Sequence, residues 1–293
     1  MKKLFAILLC SVMVLSLLAA CGGEGTEVTT SDGNTVVENK DGSLSLDLKH
    51  ETIGDPSVKA EANVGENGKH VQSITAKEST LYIEAGKVAQ IEPVILPADA
   101  ADPSVYYESD NEAIAKVDKD GKVLGVEAGA TTVSVVTNDR NFKTKVTVVV
   151  YRVKTNDANV EEMLQMINDA RTAAELSAIE IEPMLNFAAT ERAYEEAAEN
   201  DGKMDDTRPL KDANGEAKKH ASVLDDYDIW YRGQTRVYIW KSNASVKDAF
   251  DGIMSNEDNK NLLLSEDGKY SYIGAGCFEY KDVSYWCILM YLK

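Results

Sequence analysis

Residues 204–209 read MDDTRP: two adjacent carboxylates, Asp205 and Asp206, then a hydroxyl, the guanidinium of Arg208 and a proline. Paired acids whose surroundings separate their pKa values can divide general acid and general base work, and clustered carboxylates can hold a hard cation. The same six residues suit a plain surface loop, so the rest of the chain has to decide. It offers no Ser-His-acid trio, no reactive free cysteine and no glycine-rich phosphate loop. Its three histidines do not gather at the motif: His50 and His70 fall in a polar N-terminal stretch, and His220 is expected to be exposed in a loop.

The elements around these residues begin with MKK, the apolar run LFAILLCSVMVLSLLAA and small residues, the layout of a secretory signal over 1–20. Leu18, Ala19, Ala20 and Cys21 resemble the bacterial lipobox, which implies lipidation of the Cys21 thiol once the signal is removed. Two or three acyl chains, at about 0.8 kcal/mol per buried CH₂, give a stable anchor where one does not. The expected location is the extracellular face of the bacterial cell membrane, with the lipid anchor as the membrane contact. Loss of Lys2 and Lys3 with the signal takes the formal charge from −18 to −20. Such a surface repels nucleic acid and anionic headgroups.

Residues 21–70 read as a lipidated flexible linker, too poor in apolar residues to offset the entropy of ordering. Within them TVVENKDGSLSLDL can close as a hairpin around Lys40, Asp41 and Gly42, so an added β element stays open. From 71 to 152 short alternating runs such as TLYIEAG, SVYYES and KTKVTVVVY are separated by turn residues, the pattern of an all-β sandwich. From 153 to 293 the period becomes 3.6 before strands return. Asn159, with Glu162 three residues on, is expected to cap a helix whose inner face carries Val160, Met163, Leu164, Ile167, Ala170 and Ala174. A second helix, opened by Pro183, turns Leu185, Ala188, Ala189, Ala193 and Ala197 inward and its glutamates outward. The final run SYWCILMYL is apolar almost throughout, which demands burial on both faces and predicts an α-β-α sandwich. Strands centred on Asp282 would set Cys277 opposite Cys287, leaving a strained disulfide and two buried thiols both open.

Two family resemblances follow from these stretches. YIEAGKVAQIEPVILPADAADPSVYYESDNEAIAKVDKDGKVLGVEAGATTVSV resembles a bacterial Ig-like group 2 domain, which implies a seven-strand spacer or adhesive module without catalytic residues. MLQMINDARTAAEL, LNFAATERAYEEAAE, TRP, IMSNEDNKNLL and YIGAGCFEY with YWCILMY together resemble a CAP domain, the superfamily of cysteine-rich secretory, antigen 5 and pathogenesis-related proteins. The resemblance implies a cleft in which histidines and acids bind a divalent metal or polarise a ligand. Here Asp206 and Asp258 stand at the histidine positions, Gln234 at a glutamate position and Ile288 at a glutamine position, while Thr207, Arg208 and Pro209 match. Asp205 and Glu257 flank the altered positions. Oxygen donors in place of imidazoles disfavour zinc and copper, and Asp206 and Asp258 become candidates for calcium or magnesium or for plain solvated loops. Arg208 is expected to pair with a nearby carboxylate and hold its loop. The expected function is binding of an unknown surface protein, cell-wall glycan or lipid through a degenerate cleft, with a protease-like hydrolase or a cation-dependent binder as the alternatives.

Overall fold

The computed structural model describes residues 50–65, 68–154, 156–199, 207–212, 214–231, 233–242, 245–280 and 283–292, with three short strands nearer the N-terminus. Those strands, β1 (Thr26–Thr29), β2 (Thr35–Glu38) and β3 (Leu44–Asp47), form an antiparallel meander in which Glu38 faces Leu44 and Thr35 faces Asp47. The hairpin around Lys40 is present as β2 and β3, and β1 adds a strand that composition does not announce. Cys21 and the signal segment lie outside the described residues. The rest of the chain divides into two compact units, one built on Lys49–Arg152 and one on the chain from Val153.

Nine strands make the first unit, where the resemblance implies seven. β4 (Ser73–Ala76) pairs with β7 (Pro93–Leu96). β6 (Val88–Gln90), β10 (Lys122–Gly125) and β9 (Ala115–Val117) form a second sheet in that order. The largest has the order β5 (Thr80–Glu84), β12 (Lys143–Tyr151), β11 (Gly129–Thr137), β8 (Val105–Ser109). Alternating valines and isoleucines of these strands, among them Ile83, Val123, Val133, Val135, Val146, Val148 and Val150, are buried and supply the hydrophobic driving force.

Residues 50–70 belong to this unit, against the reading of them as linker. Too polar to build a core, they are held by hydrogen bonds instead. Glu51 N donates to Gly86 O at 2.7 Å, and Pro56 bridges to Asp118. Buried aspartates accept the segment's amides: Gly54 N reaches Asp118 Oδ2 at 2.7 Å, Asn63 N reaches Asp102 Oδ2 at 2.6 Å, and Val71 N reaches Asp139 Oδ2 at 2.7 Å. Ala60 N donates to Asn138 Oδ1, and Ser57 Oγ accepts from Tyr107 N on β8 at 2.8 Å.

In the second unit the sheet order is β13 (Glu180–Ile181), β17 (Tyr272–Tyr280), β18 (Val283–Leu292), β16 (Gly233–Ser242). One face of it packs in a single cluster with α1 (Asp157–Ala173), α4 (Val246–Ser255) and α5 (Glu257–Leu263): Ile273, Ala275, Cys277, Trp286, Ile288 and Met290 meet Met163, Ile167, Ala249, Ile253 and Leu263. Against the other face lies α2 (Pro183–Tyr194), so close that a Cβ on Gly276 would stand 2.0 Å from Thr190 N. Burial of β18 on both sides follows, and the α-β-α sandwich stands as its apolarity requires. Between the helices, β14 (Thr207–Lys211) pairs with β15 (Ala217–Lys219), followed by α3 (Ser222–Asp226).

Three details depart from the sequence reading. The cap of α1 is Asn156, whose Oδ1 accepts from Asn159 N, so the helix begins one turn earlier than Asn159 suggested. Its inner face ends at buried Arg171 rather than Ala174, because Arg171 satisfies the carbonyls of Ser177, Leu263 and Ser265. The β17–β18 register pairs Tyr280 with Val283, which sets Cys277 opposite Trp286 and Cys287 opposite Gly276. A one-residue slip exchanges faces. The two cysteines therefore lie on opposite sides of the sheet as buried thiols, and no disulfide joins them.

Candidate functional site

Arg208 is the motif residue that the structure places most firmly. It sits in β14, buried, beneath a π-helical turn, Glu195–Glu199, that continues α2. A π turn widens the helix by one residue per turn. Arg208 Nε lies 3.1 Å from both carboxylate oxygens of Glu195, Nη2 donates to Glu195 Oε1 at 2.7 Å, and Nη1 donates to Ser222 Oγ at 3.1 Å. Arg192, from the last turn of α2, pairs with the other side of Glu195 and with Glu196, and its Nη2 lies 3.5 Å from Thr207 O.

Two guanidinium groups and two carboxylates thus neutralise one another with no side chain more than 4% exposed. Formal neutrality and multiple hydrogen bonds are what make such burial tolerable, since one unpaired ion here would face a large desolvation cost. The arrangement rivets the end of α2 to β14. It also corrects the expectation that the glutamates of α2 point outward, because Glu191, Glu195 and Glu196 are all buried. Sequence reasoning missed Arg192 and both acids, although the Arg192, Glu195, Glu196 spacing is that of i,i+3 and i,i+4 ion pairs.

The other candidate residues are not brought to Arg208 among the described residues. Asp205 and Asp206 lie outside them. Gln234 is in β16 opposite Tyr291, its side chain likewise outside. Glu257 and Asp258 are exposed in the first turn of α5, capped by Asn256, whose Oδ1 accepts from Asn259 N at 2.9 Å. There, two carboxylates complement the positive end of the helix dipole. Ile288 is buried in the α1, α4 and α5 cluster.

The histidines do not supply what the motif lacks. His50 is exposed, His220 is half-buried beside β15, and His70 Nδ1 lies 2.9 Å from Asp139 Oδ1 in the first unit. Among the described residues no three His, Cys, Asp or Glu side chains converge as an ion site. The donor set does not suit zinc or copper in the manner the CAP resemblance implies, since Asp206 and Asp258 offer carboxylate oxygens where that manner has imidazole nitrogens, and Gln234 offers an amide where it has a carboxylate. Cys277 is no nucleophile at neutral pH, because burial first and then Glu279 push its thiol up to about 12.

Comparison with known proteins agrees with this division of the chain. Residues 70–148 match the family model described as bacterial Ig-like domain (group 2), and residues 164–291 match that of the cysteine-rich secretory protein family. No curated protein matches the chain. Among solved structures it is similar to an extracellular SCP-domain protein of Bacillus anthracis, at 8% identity over 91% of this chain and 80% of that one, TM-score 0.39. A cysteine-rich secretory protein of Staphylococcus aureus is similar at 13% identity over 92% and 83%, TM-score 0.35. An outer surface protein of Borrelia burgdorferi covers 48% of this chain and 96% of its own at 15% identity, TM-score 0.38. The strand-rich unit with its buried valines and the helix-flanked sheet with its riveted Thr-Arg-Pro strand are accordingly a bacterial Ig-like group 2 domain followed by a CAP domain of the cysteine-rich secretory protein family.

Proposed function

We propose that this chain is a surface lipoprotein, anchored through Cys21 on the extracellular face of the bacterial cell membrane, whose CAP domain binds a partner instead of catalysing a reaction. The observation that carries the reading is the fate of Arg208. The matching residue of the family motif is spent on a buried pair with Glu195, and the two histidine positions of the resemblance hold Asp206 and Asp258. A pair buried to this degree has no access to substrate. The Ig-like domain serves as spacer, and a cell-wall glycan, a lipid or another surface protein is the ligand class.

The test is affinity capture with the full chain in detergent micelles, offered wall glycan, membrane lipid and surface-protein fractions with and without calcium, beside an assay for peptide hydrolysis. Capture without turnover is the expected result. Capture only with calcium, lost in Asp206→Ala and Asp258→Ala, would make those two residues ligands of calcium or magnesium. Turnover abolished by Asp206→Ala would overturn the binding reading in favour of a hydrolase.

A further inference from the structure

The segment before the Ig-like strands has an unusual basis for its order. From Glu51 to Asn63 it is almost wholly exposed, with only Ile53 and Ser57 half-buried, and Val58 is 75% exposed. Its first fully buried apolar side chain is Val71. What holds it is a series of acceptors belonging to the sandwich: Asp118 for Gly54, Asn138 for Ala60, Asp102 for Asn63 and Asp139 for Val71. Further bonds run the other way, from Val88 N to Glu51 Oε2, from Tyr107 N to Ser57 Oγ, from Lys119 N to Asp55 O and from Ala101 N to Lys69 O.

Such a segment can leave without opening the core. The two carboxylates that residues 51–63 would uncover keep a second contact within the sandwich: Asp118 Oδ1 still accepts from Asp120 N and Lys122 N, and Asp102 Oδ1 from Ser104 N. The vacated oxygens gain water. Regions that bury little apolar surface and depend on peripheral hydrogen bonds sit at the low end of local stability. The strands behind them, β11 and β12, are buried along most of their length.

We propose that residues 51–63 form a latch that opens as a separate step before the sandwich unfolds, while Val71 and its bond to Asp139 stay with the core.

Hydrogen exchange on the full chain in micelles, read by mass spectrometry over a denaturant series, tests it. In the wild type, amides of 51–63 should exchange through an opening with a shallower denaturant dependence than those of 129–137 and 143–151. Coincident dependences, or exchange of Gly54 and Asn63 at free-peptide rates, would overturn the latch. Asp102→Asn with Asp118→Asn replaces one acceptor oxygen by an NH₂ donor facing an N–H donor. That variant should lose at least about tenfold protection in 51–63 and keep it in β11 and β12, whereas equal loss in both, or none, would sink the proposal. Should the variant not fold, the wild-type series decides alone. Loss of membrane partitioning in Cys21→Ser reports on the anchor separately.

Discussion

Arg208 shows how one residue can look functional in sequence and prove structural in space. Its removal leaves Glu195 with half its compensation, so Arg208→Ala should destabilise the CAP domain by roughly 3–5 kcal/mol, while the paired change Arg208→Met with Glu195→Leu should cost less. Arg208→Lys keeps the charge but loses the two-pronged fork and should fall between wild type and alanine. Chemical denaturation followed by tryptophan fluorescence measures all three. The opposed faces of Cys277 and Cys287 lead to a second expectation: without reductant, the unfolded chain yields both as alkylatable thiols, and the native chain resists alkylation at pH 8 over the same interval. Mass analysis distinguishes these from a bridged pair. The motif and its loss of histidines were legible in the sequence, and so was a carboxylate partner for Arg208. The identity of that partner was not, because periodicity assigns glutamates to solvent and carries no information about an arginine arriving from a later strand.

At the scale of elements, the sheet of the CAP domain accepts α2 only because Gly274 and Gly276 lack side chains. A Cβ at 276 meets the backbone of Ala189 and Thr190, which no rotamer can move aside, so Gly276→Ala should cost more than the 1–3 kcal/mol usual for overpacking. Gly268→Ala is the control, a left-handed turn with open space around it, and should cost only about 1–2 kcal/mol. The buried β18 and the inner faces of α1 and α2 were readable from apolar pattern alone. The register was not, since a shift of one residue leaves an all-apolar strand equally buried on either face. The segment from 50 to 70 escaped for a different reason: composition reports on the capacity to bury apolar surface, and this stretch is ordered by acceptors that lie elsewhere in the chain. Its clamps also give a pH dependence. In Asp102 hydrogen bonding from Ser104, then from Asn63, holds the carboxyl below the ordinary range; in Asp118 burial raises it but the amides of Gly54, Lys122 and Asp120 outweigh that, and in Asp139 burial is outweighed by His70 and Val71. Lowered carboxyls contribute stability that is complete above the usual value of about 3.9 and is lost as pH falls through their own lower values. Protection of the 51–63 amides should therefore hold at pH 5, begin to weaken only below about 3.9 and be lost at the lower pH where these carboxyls take up protons, measured as protection factors corrected for intrinsic exchange.

The full sequence, with its Ig-like and CAP domains, carries a formal charge of −18. If Cys21 is the acylated residue, Cys21→Ser should leave the chain in the soluble fraction after a high-salt wash, with the wild type in the pellet; equal partitioning of both would refute the anchor. Anchoring confines copies to a plane and raises the concentration at which they meet. In that setting β8 is a vulnerable strand, since with β5 it ends the four-stranded sheet and a bare strand edge templates side-by-side pairing between neighbours. Ser57 occupies the amide of Tyr107 on that strand. If the chain is anchored, the polar segment that looked like slack in the sequence helps insulate that edge, and the density to which copies can crowd a surface without zipping into sheets would depend in part on keeping it closed.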